Sequence, residues 1–161
     1  MKLELTFKNI RNCNGVPLLR ICINRTQVWE GSAQEQICIE HPVDQQSIDL
    51  EIEHYGKNNN TDVVANNGII VQDKSCELDS ISVDGQDLAE LKWLGCYVTE
   101  DQESLDKCLF FGKNGHWHLS LELPALRWML KTRHAINNND PYWEEDYNNY
   151  IQACKLVNNL N

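Results

Sequence analysis

Between residues 47 and 53 the chain reads Ser-Ile-Asp-Leu-Glu-Ile-Glu, an unbroken alternation of polar and apolar residues. A period of two places Ile48, Leu50 and Ile52 on one side of an extended backbone and Asp49, Glu51 and Glu53 on the other. The segment is predicted to be a half-buried strand. The same pattern sets Leu3, Leu5 and Phe7 on one face near the N-terminus, and Trp117, Leu119, Leu121 and Leu123 on one face near residue 120. Runs over 16–23, 27–29, 36–40, 68–71 and 75–83 carry β-branched or apolar residues between turn signals. In the last run Cys76 and Leu78 share one phase and Ile81 and Val83 the other, which predicts a bulge near Asp79 and Ser80. Short, closely spaced, antiparallel strands define the expected fold class: an all-β, jelly-roll-like antiparallel β-sandwich over residues 1–123.

Helix signals come late. Residues 124–161 are expected to form a C-terminal segment with an amphipathic helix at about 141–158. Its start is marked by Asp140 as N-cap, Pro141 in the first helical position and Glu144, Glu145 and Asp146 close behind. From there Trp143, Tyr147, Tyr150, Ile151, Cys154 and Val157 recur at helical spacing. A shorter helix is predicted within 86–94, where Leu88, Leu91 and Leu94 stand three apart and Gly95 is a stop signal. Residues 124–133 fit two readings, since Leu126, Met129 and Leu130 suit a helix and Leu126, Trp128 and Leu130 suit a strand.

A length of 161 residues is enough for one domain with a core of its own. The formal net charge of -10 argues against nucleic acid, whose affinity for proteins comes mainly from Lys and Arg displacing counterions. An anionic membrane is disfavoured for the same reason. No run approaches the roughly 20 apolar residues of a membrane-spanning helix, and residues 1–8 alternate charged and apolar residues, unlike a secretory signal. Seven scattered cysteines contain no C-x-x-C pair, so they read as reduced, partly buried thiols in a cytoplasmic setting.

The stretch 110–119, Phe-Phe-Gly-Lys-Asn-Gly-His-Trp-His-Leu, carries a strong hairpin signal in Asn114-Gly115. A two-residue turn there would pair Lys113 with His116, Gly112 with Trp117 and Phe111 with His118. Trp117 would then cover Gly112, while His116 and His118 would share the outer face. Histidines two apart on a strand can ligate one metal if a third donor arrives from a neighbour. With Lys113 as cross-strand partner that site is disfavoured, and no metal is expected on it; the two histidines are instead candidate partner contacts. Calcium is a candidate cofactor at Asp62 and Asp73, in or beside the polar Asn-rich loop, although no EF-hand spacing supports it. Tyr55, Trp93 and Tyr97 are candidates for stacking on a sugar. Trp143, Tyr147, Tyr150 and Ile151 are candidates for docking into a neighbouring subunit. The sequences G-x-S-x-G, G-x-x-x-x-G-K-[ST], H-E-x-x-H and G-x-G-x-x-G do not occur, and no enzymatic activity is expected.

The series Glu51-x-Glu53-His54-Tyr55-Gly56-Lys57, Asp73-Lys74, Ile81-x-Val83-Asp84-Gly85 and Leu109-Phe110-Phe111-Gly112-x-Asn114-Gly115-x-Trp117 resembles small β-rich proteins of large tailed bacteriophages. The resemblance spans about residues 46–123. It implies a structural component of a virion, in the tail, neck or baseplate, assembled in a host cytoplasm beside other protein subunits. The same turn pattern is similar to jelly-roll carbohydrate-binding modules, some of them calcium-dependent, which implies a glycan partner instead. The chain departs from those modules in lacking a clear acidic calcium cluster and in adding the C-terminal helix.

Overall fold

In the computed structural model the described residues are 1–137, Glu145, 147–149, Ile151 and Gln152. Thirteen strands are formed among them: β1 (Lys2–Arg11), β2 (Leu18–Ile23), β3 (Thr26–Ser32), β4 (Gln36–Glu40), β5 (Ser47–Tyr55), β6 (Val63–Asn66), β7 (Ile69–Asp73), β8 (Ser75–Val83), β9 (Gln86–Asp87), β10 (Cys96–Thr99), β11 (Ser104–Asp106), β12 (Phe110–Phe111) and β13 (Gly115–Glu122). One sheet has the order β12-β8-β1-β4, with β9 on β8, and the other has the order β11-β10-β13-β5-β2-β3. Strands β6 and β7 form a separate two-stranded ribbon. Every pairing is antiparallel.

The alternation read from the sequence decides which side chains lie between the sheets. Leu3, Leu5 and Phe7 from β1, Ile48, Leu50 and Ile52 from β5, and Trp117, Leu119 and Leu121 from β13 are all buried in one core. Aromatic packing joins the two sheets where Tyr97 of β10 stacks on Phe111 of β12 at 5.1 Å, and within the β12-β8-β1-β4 sheet Phe7 meets Phe111 edge-on at 6.3 Å. The predicted bulge is present. Thr6 pairs with Ser80 and Phe7 with Leu78, which leaves Asp79 as the extra residue and brings both halves of β8 inward.

Three two-residue turns have positive φ at both central positions: Asn24-Arg25, Asn67-Gly68 and Asp84-Gly85. That conformation matches the right-handed twist of the flanking strands, and Asn, Asp and Gly adopt it at little cost. The residues 114–115 do not form such a turn. Strand β12 pairs with β8 in one sheet and β13 with β5 and β10 in the other, so residues 112–114 carry the chain from sheet to sheet. The expected hairpin register is therefore replaced.

Trp117 does cover a glycine, but that glycine is Gly95: a Cβ there would lie 2.2 Å from the indole. Gly115 needs to be glycine because β10 runs directly over it, with the Val98 carbonyl oxygen 2.4 Å from where a Cβ would stand.

A 3-10 helix, Ala89–Leu94, replaces the short helix expected within 86–94 and ends at Gly95. Residues 124–133 resolve as helical: α1 (Ala125–Ile136) buries Ala125, Trp128 and Met129 against the sandwich. Arg133 holds Glu90 at 2.6 Å and Lys131 holds Glu122 at 3.0 Å. Of the C-terminal stripe, Tyr147 and Ile151 are helical and half-buried. Trp143, Tyr150, Cys154 and Val157, and with them most of the helix expected at 141–158, lie outside the described residues. No helix among the described residues is long and apolar enough to cross a membrane.

Candidate functional site

The crossover at 112–114 is held by His54 and Lys57, at and just beyond the end of β5, and by Tyr97 of β10. Asn114 and Lys57 exchange two hydrogen bonds, the Lys57 amide donating to Asn114 Oδ1 at 2.9 Å and Asn114 Nδ2 donating to the Lys57 carbonyl at 3.0 Å. The Lys113 carbonyl accepts from the Tyr97 hydroxyl at 2.6 Å and lies 2.7 Å from His54 Nδ1. Burial lowers the pKa of His54, so its imidazole is neutral and Nδ1–H is the donor to Lys113. Lys57 Nζ donates to the Gly112 carbonyl and to Asp73 Oδ1.

These bonds also seat the β6–β7 ribbon. Lys57 and Asp73 form a buried ion pair, and Lys74 reaches Asp62 at 3.1 Å in a second one. Hydrogen bonding from the Asn58 amide and from Lys74 lowers the Asp62 pKa. The two carboxylates named as calcium candidates are thus each occupied by a lysine ammonium. A divalent cation at either one would have to displace that lysine, and the structure gives these groups a fastening role.

Above the ion pairs lies a groove of about 430 Å³. Val63 and Ile70 of the ribbon form one wall, Tyr97, Leu105 and Phe110 the other, and Lys57 and Asp73 contribute polar groups. Beside it the ribbon exposes three successive apolar side chains: Ile69 at 69%, Ile70 at 57% and Val71 at 57%. Phe110, at the groove's edge, is also exposed. Grouped exposed apolar surface of this kind marks a binding region, whereas isolated exposed residues do not.

The sequence candidates fall in different places. Tyr97 is buried and Tyr55 is half-buried, and they point to opposite faces of their sheet, since Tyr97 lies opposite Trp117 and Ile52 in the core while Tyr55 is three residues beyond Ile52. The Tyr55 hydroxyl donates to Glu30, and the Arg20 guanidinium sits 4.8 Å from its ring centroid. Trp93 is exposed on the 3-10 helix. These three residues build no common platform.

His116 and His118 do share the outer face of the six-stranded sheet. Their strand neighbours are not Lys113: His116 pairs with Val98 and Glu53, and His118 with Cys96 and Glu51. Lys113 instead holds Glu103 at 3.0 Å.

The groove was not foreseen. Its ribbon residues 69–71 are legible as an apolar strand, but nothing in the sequence shows that this strand joins neither main sheet. Glu51 was read as a solvent-facing acid, because its position beside two histidines depends on the β5–β13 register.

No protein-family model and no curated protein matches the chain. Among solved structures, "vCBM60 in complex with galactobiose" is similar with a TM-score of 0.49 and 12% sequence identity, over 73% of this chain and 96% of that one. The resemblance to bacteriophage virion proteins gains no support from these comparisons.

Proposed function

We propose that this chain is a non-catalytic binding module that docks an apolar segment of a protein partner into the groove beside the β6–β7 ribbon. The observation that carries this reading is the run Ile69-Ile70-Val71. All three side chains are more than half exposed, and Ile70 lines the groove together with Val63 and Phe110. Leaving such side chains in water forgoes about 25 cal/mol per Å² of apolar surface, which a partner recovers by covering them. Service as a subunit of a virion is the finer form of this reading, supported by the motif resemblance over residues 46–123.

Carbohydrate binding is the second reading, because Lys57, Asn59, Thr99 and Lys113 place polar groups suited to sugar hydroxyls in the groove. One experiment separates the two. A photo-crosslinking residue placed at position 70 in the producing cells is expected to trap a protein, in an amount cut at least tenfold by adding I69D. A glycan array with and without EDTA is expected to be blank. Array signal together with no protein crosslink would replace the protein reading by the glycan one.

A further inference from the structure

We propose that Glu51, His116 and His118 form a binding site for a divalent transition-metal ion on the outer face of the six-stranded sheet. This goes beyond the groove, which lies elsewhere and uses none of these residues. His116 and His118 stand two apart on β13, so their rings point the same way, with centroids 5.9 Å apart and planes 26° from parallel. Strand β5 supplies the third donor, Glu51 being the register partner of His118. One donor atom from each of the three residues lies within 4.8 Å of the others.

The separations suit a metal. His116 Nδ1 is 3.2 Å from Glu51 Oε1, and His118 Nδ1 is 3.5 Å from Glu51 Oε2. Ligands bound at about 2.1 Å in tetrahedral geometry stand about 3.4 Å apart. Two imidazoles and one carboxylate suit zinc, nickel or copper, whereas calcium takes six to eight oxygens. All three side chains are partly open to solvent, at 31% for Glu51, 41% for His116 and 48% for His118, so water can complete the coordination.

The surroundings favour a cation. The residue opposite His116 on β5 is Glu53, and the nearby Arg20 is already held by Glu53 at 2.6 Å and Glu30 at 3.1 Å. Cys22 and Cys96 stand in the same cross-strand row, opposite Glu51 and His118, but the three-donor set does not need them.

The test uses the full chain after EDTA treatment and dialysis. Zinc is titrated calorimetrically, and cobalt is followed by visible absorption. One ion per chain is expected, with cobalt d–d bands and no thiolate charge-transfer band. H116A/H118A and E51Q should each weaken binding at least about tenfold, since even residues that only support metal ligands are worth 10–100-fold. Circular dichroism of both variants should match the parent, because these side chains lie outside the core. A second readout is NMR: copper should broaden the His116 and His118 ring signals before those of His41. The proposal is overturned by an absence of binding, by equal affinity in H116A/H118A, or by binding lost only in C22S/C96S.

Discussion

Asn114 and Lys57 exchange two hydrogen bonds, side-chain amide to backbone, much as neighbouring strands pair. The pair fixes the point where the chain leaves one sheet for the other. Asn114→Ala would remove both bonds and leave the Lys57 amide and carbonyl without these partners, at an expected cost of about 1–3 kcal/mol. Urea denaturation monitored by tryptophan fluorescence checks this. A change below 0.5 kcal/mol would show that water replaces the amide without penalty.

Gly95 and Trp117 are in contact with no room for a Cβ, and Trp117 is fully buried. Gly95→Ala must shift either the indole or the backbone after the 3-10 helix. The expected loss is about 1–3 kcal/mol, as for other overpacked cores. A near-ultraviolet circular dichroism change should accompany it. Gly85→Asn is the contrasting case: nothing lies within 4 Å of its Cβ position, and Asn tolerates the φ of +78° better than most residues.

His54 links stability to pH. Its folded pKa lies below the ordinary value of 6.5, so below pH 6.5 the unfolded chain binds more protons and stability falls as pH falls. Above pH 6.5 the contribution is fully present. The cause is burial first, with Lys57 and Lys74 nearby adding repulsion. His54→Asn keeps a donor for the Lys113 carbonyl and removes the titration. Melting temperatures from pH 7 to 5 should therefore decline less steeply in the variant; equal slopes would assign the decline to other groups.

The Lys57–Asp73 pair is buried on both sides, with 2% and 7% side-chain exposure. Lys57→Met leaves a buried carboxylate without its ammonium and should cost about 3–5 kcal/mol. The double variant K57M/D73L should recover most of that loss. Chemical denaturation of both proteins is the measurement, and a neutral single variant would contradict the fastening role.

The strands themselves were legible, because Ile48, Leu50 and Ile52, or Trp117, Leu119 and Leu121, repeat every second residue for the length of a strand. The bulge at Asp79 was legible for the same reason, as a change of phase. The turns were not. Asn-Gly occurs at 14–15, 67–68 and 114–115, and only the pair at 67–68 closes a two-residue hairpin. What separates them is tertiary: Gly115 is required by the passage of β10 over it, and Asn114 by its bonds to Lys57. An error in that one turn moved Lys113 beside His116 and hid Glu51. The groove was hidden too, since its walls come from β6, β7, β10, β11 and β12, and only the fold brings them together.

The β6–β7 ribbon joins neither main sheet through strand pairing and is fastened by ion pairs near its base. Its tip at Asn67-Gly68 is thus a natural grafting position. Sequence inserted there lengthens a free arm and leaves every strand register of the sandwich unchanged. A lineage, or an engineer, can exchange what this arm recognises without rebuilding the body that carries it.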